Sequence, residues 1–538
     1  MTWLSWILLF GYLGLSYALF RLFPKAGVEA KKGLIPGYNM WIVARLVGRN
    51  PWYSLLLLIP FLNVFIFSSL MVDLARSFGR FNYGEHVLSV LASWGYFNWL
   101  AGQERVTYEG PILTEERQFR RELAAIEKTK DQREINRVKA RYAKFDKPFW
   151  QDWAEAAVFA IFAAAFIRLL LIESYIIPTP SMEGNLNVGD FLFVSKVHYG
   201  MRLPETILAL PLVHNRAPLV NGESYLERPN LPFRRLPALE EIDRYDPVVF
   251  NMPAGDSVYI FPDRVFTASD YEYGMVEGYN PNYAEAIRRG QVELVTRPRD
   301  KKDHYIKRAV GLPGETLEVR DRKIVINGEV QPDPENIQFL YTVEFSGQPN
   351  TRNWADIGIA RDDYQHRGLS YIMWLSEEQV AEIKAGDPQA TVDFYDQTSP
   401  NGNRLYPHNA KYFGDWTVDN YGPVTIPARG MTVKLDERTF ALYFRPIKVY
   451  EENESFTTRD GKFYLNGEEI SEYTFKQDYY WMMGDNRHNS EDSRVWGFVP
   501  RDHVLGKPLF IWFSIKEGNL FNGVNWDRIF RSASRQGD

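Results

Sequence analysis

The stretch YIIPTPSMEG, Tyr175 to Gly184, stands two residues beyond an apolar run at 154–172 and holds Ser181 between a proline and a methionine. The run has about the length needed to cross ~30 Å of hydrocarbon at 1.5 Å per residue. From Ile172 to Ser181 is nine residues, at most ~30 Å when extended, so the hydroxyl is expected near a bilayer surface. The boundary between a helical membrane part and a different kind of fold is expected here.

Beyond Ser181 the texture changes to short runs such as DFLFVSKV, DPVVFNMP, TLEVRDRKIVINGE and GKFYLNGEEI, rich in β-branched and aromatic residues and bounded by Gly, Pro, Asn or Asp. Such runs read as strands. Asn327-Gly328 and Asn466-Gly467 suit type I′ hairpins, and a helix is expected around 376–385. Upstream, 2–20 and 54–72 have the composition of spans, with no basic n-region or small-x-small cleavage pattern to mark the first as a removable signal. A third run, 87–102, either crosses or forms an interfacial or buried helix.

Arg21, Lys25, Lys31, Lys32, Arg45 and Arg49 make the first loop basic, which places it in the cytoplasm by the positive-inside tendency. The mixed charges of 111–152 read as a cytoplasmic helical linker. Near the end of the run at 154–172, Arg168 is placed to snorkel towards headgroups. With three earlier crossings, the span at 153–173 delivers Tyr175 to the outer face.

Composition narrows the function. A net charge of −6 argues against a nucleic-acid binder, and the absence of cysteine excludes disulfides, a thiol nucleophile and a thiolate metal site. A serine hydroxyl needs a base and an oxyanion site to act as a nucleophile. The 8 histidines lie in no recognised triad context. A lysine serves if burial lowers its pKa from ~10.4 towards ~7.5. Lys307, in DHYIKRAVGLPGE, and Lys196, in FLFVSKVHYG, both sit in apolar strand-like settings, and the residues alone do not choose between them.

Five blocks do choose. IPTPSM, GDFLFVSKVHYG, YDPVVFNMP, YIKRAVGLPGE and GDNRHNSEDSRVWGFVP occur in the order and style of the type I signal peptidases, behind a membrane span, and the chain resembles a longer-than-minimal member of that family. The resemblance implies an endopeptidase that removes N-terminal signal peptides from exported preproteins with a Ser-Lys dyad. Ser181 matches the nucleophile and Lys307 the general base. Thr179 matches the hydroxyl that joins the Ser181 N–H as oxyanion donor, and Ser490 the serine that orients the lysine. Arg308, Asp485, Asp492 and Arg494 match charged residues that scaffold the site. Ile177, Met182, Leu186, Tyr305 and Ile306 match positions lining shallow pockets for small side chains. Two departures stand out: His488 where many members carry an acidic residue, and Asp246-Pro247 at the entry to the third block.

The implied fold is a set of N-terminal transmembrane helices (1–110) and the charged linker, followed by a mainly β extracytoplasmic Ser-Lys peptidase core. That core comprises 174–316 and 479–538, with 317–478 an inserted β domain. The implied location is the plasma membrane, multi-pass, with the catalytic part on the periplasmic face. Signal-peptide-bearing preproteins, the lipid bilayer and possible export machinery are the implied partners; nucleic acid, metal and cofactor are not called for. Two other readings compete. A self-cleaving Ser-Lys repressor would need a DNA-binding module, and an inactive membrane-tethered peptide-binding protein would be expected to lose the dyad.

Overall fold

A computed structural model describes residues 3–58, 62–127, 131–145, 149–206, 213, 223–226, 228, 230–261, 264–272, 274–351, 354, 357–368, 370–395 and 405–533. The chain divides into two compact units, Met1–Ala160 and Ile161–Asp538.

The first unit is helical. Helices Trp3–Leu22, Tyr38–Leu46, Leu62–Ser77 and Ser93–Gly102 bury Leu15, Leu19, Val43, Leu70, Phe97 and Leu100 in one cluster. Asn39 ties this cluster together: its amide donates to Ser16 Oγ and to the Gly33 carbonyl, both at 3.2 Å, and accepts from Tyr12 Oη at 3.1 Å. Gly33 permits the approach, since a Cβ there would lie 2.4 Å from the Phe20 nitrogen. The charged linker forms helices Ile112–Glu127 and Gln132–Arg141, and its residues 128–130 and 146–148 lie outside the described residues.

The expected spans are modified here. Among the described residues, no helix is long and apolar enough to cross a membrane. The run at 54–72 is shared between a 3-10 helix, Pro51–Leu58, and an α-helix, Leu62–Ser77, with 59–61 outside the described residues. The run at 87–102 falls in two helices, Tyr83–Leu91 and Ser93–Gly102. They are broken at Ala92, whose φ of −127° and ψ of 41° leave the helical region. Neither half rises more than ~15 Å, and the buried Tyr96, Phe97 and Leu100 make the second half a core helix.

The second unit is built on a seven-stranded antiparallel sheet. Its strands are β1 (Ile172–Ile176), β2 (Asp190–Ser195), β3 (Pro247–Asn251), β4 (His304–Gly311), β5 (Tyr479–Met483), β6 (Val499–Pro500) and β7 (Val504–Ser514), in the order β1-β2-β7-β3-β4-β5-β6. The register pairs Ile176 with Phe191 and Val248 with Lys307. Because side chains alternate faces along a strand, β4 sends Lys307 and Arg308 to opposite sides. Helix Phe149–Leu170 precedes β1, with only Leu171 between them.

Between β3 and β4, whose ends pair Asn251 with His304, residues 252–303 form an excursion with its own three-stranded sheet and a cluster around Phe261, Phe266 and Val276. No sequence signal singled it out. The stretch 317–478 forms several small sheets, and its Leu317, Tyr421 and Phe475 share one core with Trp481, Met483 and Phe498. Both Asn-Gly pairs close hairpins: Asn327 and Asn466 have φ of 51° and each following glycine φ of 89°, the doubly positive pattern of a type I′ turn. The expected helix is Glu377–Gly386, started by a capping box between Ser376 and Gln379.

Candidate active site

Ser181 lies in a one-turn 3-10 helix, Pro180–Met182, just past β1, where Pro180 presets the turn. It is 8% exposed. Lys307 Nζ donates to Ser181 Oγ at 2.6 Å and to the Ile306 carbonyl at 3.0 Å. The lysine is 3% exposed. Burial lowers its pKa from 10.5 to about 8, against the opposing pull of Asp492, Asp485 and Glu491. The rival, Lys196, is held elsewhere: its Nζ sits 2.7 Å from Glu173 Oε2, within a cluster that also binds Arg168 and Tyr175 to that carboxylate.

Thr179 Oγ1 lies 3.5 Å from Ser181 Oγ. The Ser181 carbonyl accepts from the Asn486 N–H at 3.2 Å. Gly484 packs so closely that a Cβ there would meet the Ser181 carbonyl oxygen at 2.4 Å and Ser490 Oγ at 2.3 Å. Sequence reasoning overlooked Gly484 and Asn486, although the small residue opening GDNR was the available signal.

Two buried ion pairs brace this loop. Arg308 grips Asp485 through Nε (2.6 Å) and Nη2 (2.9 Å), and Asn185 Nδ2 adds a third bond to the same carboxylate at 2.9 Å. Asp492 receives Arg494 Nε at 2.9 Å and Nη2 at 2.8 Å, plus the Gly484 N–H at 3.1 Å. Burial alone would raise the Asp492 pKa, but Arg494 overcomes it and holds the carboxyl below its ordinary value.

Two placements differ from expectation. Ser490 lines the same cavity as Lys307 but makes no hydrogen bond to it; the lysine's second bond goes to the Ile306 carbonyl, and the hydroxyl is pressed against Gly484. Leu186 does not line the cavity. It is buried in the cluster with Ile177 and Met182. The cavity, about 860 Å³, opens beside the dyad and is walled by Ile177, Met182, Tyr305 and Ile306. Arg264 and Glu491, paired at 2.9 Å, stand on its rim.

A hydroxyl hydrogen-bonded to a buried amine that is readily deprotonated, at the wall of a cavity, is the arrangement of a serine hydrolase that uses lysine in place of histidine. The family described as "Signal peptidase, peptidase S26" matches residues 150–361 and 425–513, and a family of unknown function matches 31–111. The chain belongs to the peptidase S26 signal peptidase family. Similar curated proteins include Signal peptidase I of Helicobacter pylori, 22% identical over 71% of this chain and 92% of the relative. Signal peptidase I of Rickettsia massiliae is 22% identical over 68% and 80%, and that of Buchnera aphidicola 23% over 50% and 71%.

Proposed function

We propose that this protein is a type I signal peptidase that cuts signal peptides from exported preproteins with Ser181 as nucleophile and Lys307 as general base. The observation that carries the reading is the 2.6 Å bond between Lys307 Nζ and Ser181 Oγ in a buried setting. Neutral Lys307 takes the hydroxyl proton while Ser181 Oγ attacks the scissile carbonyl. The Ser181 N–H and Thr179 hydroxyl hold the resulting oxyanion. As the carbon–nitrogen bond breaks, the Lys307 ammonium protonates the departing amine and leaves an acyl-enzyme. Lys307 then deprotonates a water that hydrolyses the ester. Arg308, Asp485, Asp492 and Arg494 keep the frame. Ile177, Met182, Tyr305 and Ile306 shape pockets for small side chains, with the substrate bound extended between β1 and β4.

The same reading makes the protein multi-pass in the plasma membrane, anchored by 2–20 and 153–173, with 174–316 and 479–538 as an outer catalytic core and 317–478 as its insert. Supporting it are the exposed Phe159, Ile161, Ile167 and Leu169 on the helix entering β1, and the exposed Phe521, Trp526 and Phe530 near the C-terminus. Exposed apolar patches of this kind mark surfaces that meet a partner or a membrane. Preproteins, lipid and export machinery are the partners this assigns.

The test is cleavage of a preprotein in detergent micelles by the full chain and by Ser181→Ala, with the product's new N-terminus sequenced. Cleavage after a small-x-small site, absent in the variant, is the expected result; a wild type inert across many preproteins would sink the reading. Thr179→Val removes one oxyanion donor and is expected to lower kcat by about 10²-fold with little change in KM. An unchanged kcat would remove Thr179 from the oxyanion site.

A further inference from the structure

The stretch 317–478 meets the catalytic loop at His488, the residue that stands where many members of the family carry an acidic one. Its ring is wholly enclosed, with 0% of the side chain exposed. Nδ1 accepts the Leu340 N–H at 3.0 Å, and Nε2 lies 2.6 Å from Asp419 Oδ1. Because Nδ1 is occupied as an acceptor, the neutral ring carries its proton on Nε2 and donates it to Asp419. Leu340 belongs to strand Gln338–Glu344 and Asp419 stands two residues before strand Tyr421–Thr425, so the ring is a strut between two separate sheets of the insert. The Phe339 ring meets it edge-on at 5.5 Å. Backbone bonds flank the strut: Gln338 N–H donates to the Asp485 carbonyl at 3.0 Å, and Arg487 N–H to the Gln338 carbonyl at 2.9 Å.

The strut is two residues from Asn486, whose N–H holds the Ser181 carbonyl at 3.2 Å, and two from Ser490. Gly484 fits against both Ser181 and Ser490 without room for a methyl group. A loop packed this closely passes any displacement to the nucleophile, since a dense interior has no slack to absorb it.

We propose that His488 is a positioning residue through which the insert sets the place of the Ser181 nucleophile. The inference rests on the peptidase reading for its kinetic test. His488 touches no reacting atom; it acts through Asn486 and Gly484.

The experiment measures kcat and KM of the full chain in micelles on one preprotein for His488→Ala, His488→Asn and Asp419→Ala, per folded enzyme counted by near-ultraviolet circular dichroism. Amide hydrogen exchange is followed over 484–490. His488→Ala is expected to lower kcat about 10- to 100-fold, the cost of a displacement near 1 Å, with KM within about twofold. Asparagine keeps an acceptor for the Leu340 N–H and is expected to restore much of kcat, while Asp419→Ala falls between. Faster exchange at Asn486 in His488→Ala, with exchange elsewhere unchanged, is the matching structural result. Unchanged kcat and exchange in the folded variants overturn the proposal, and so does an asparagine variant no better than alanine. If His488→Ala does not fold, His488→Asn and Asp419→Ala decide by the same measures. A wild type that cuts nothing fails the peptidase reading instead, and exchange at Asn486 then still tests the strut.

Discussion

Lys307→Met is expected to abolish preprotein cleavage while making the fold more stable at neutral pH. Loss of activity follows from removing the amine that lies 2.6 Å from Ser181 Oγ, and general acid–base groups of this kind contribute about 10²- to 10⁴-fold. The stability gain follows from burial. The folded pKa of about 8 lies below the unfolded 10.5, so below pH 8 the fold carries a buried ammonium that costs about 3 kcal/mol. That cost is present in full below the folded pKa, shrinks as pH rises through 8, and vanishes above 10.5. Urea denaturation of both proteins at pH 7 and at pH 10 measures it: the variant's advantage is expected at the lower pH and largely gone at the higher. The wild type's kcat/KM is expected to fall about tenfold per unit below pH 8, as the base becomes protonated. Retention of full activity by Lys307→Met removes the lysine from the mechanism.

Arg308→Ala is expected to be the most destabilising single change near the site. Both members of the Arg308–Asp485 pair are about 1% exposed, and truncating one leaves the other charge buried without its partner, at a cost of about 3–5 kcal/mol. Lysine is expected to rescue little, because a single ammonium does not reproduce the two-pronged grip of Nε and Nη2. Arg308→Met with Asp485→Leu removes both charges and is expected to recover most of the stability but not the activity, since Asp485 also anchors Asn185 beyond the nucleophile turn. Chemical denaturation of the three variants beside cleavage assays separates these effects. A Lys variant as stable as wild type would show that charge alone, and not the fork, carries the pair.

The readings that succeeded from sequence rested on patterns a few residues long. The Asn-Gly pairs at 327–328 and 466–467 close their hairpins because only short-range backbone preferences are involved, and Ser376 starts its helix through a bond to a residue three positions on. The β-branched runs became strands because their side chains fit a half-buried pleated surface. The motif blocks brought Ser181 and Lys307 into one site because each block is a contiguous piece of sheet or turn.

Readings that depended on distant partners had no such signal. The apolar run at 87–102 has span-like composition, yet the chain breaks at Ala92 and packs Phe97 and Leu100 into a core. Lys196 and Lys307 look alike in sequence, each in an apolar strand-like setting. Glu173 claims the first and Ser181 the second, and those partners lie on other elements, not among neighbouring residues. His488 gave no hint that Leu340 and Asp419, 148 and 69 positions away, would enclose it. By itself, then, the sequence determined the elements formed by its short patterned segments and which chemistry the chain carries, because periodicity and turn geometry act locally. Which lysine loses its charge, which carboxylate is paired and what holds the nucleophile were decided only by tertiary packing, because desolvation and hydrogen bonding depend on side chains that meet across hundreds of residues.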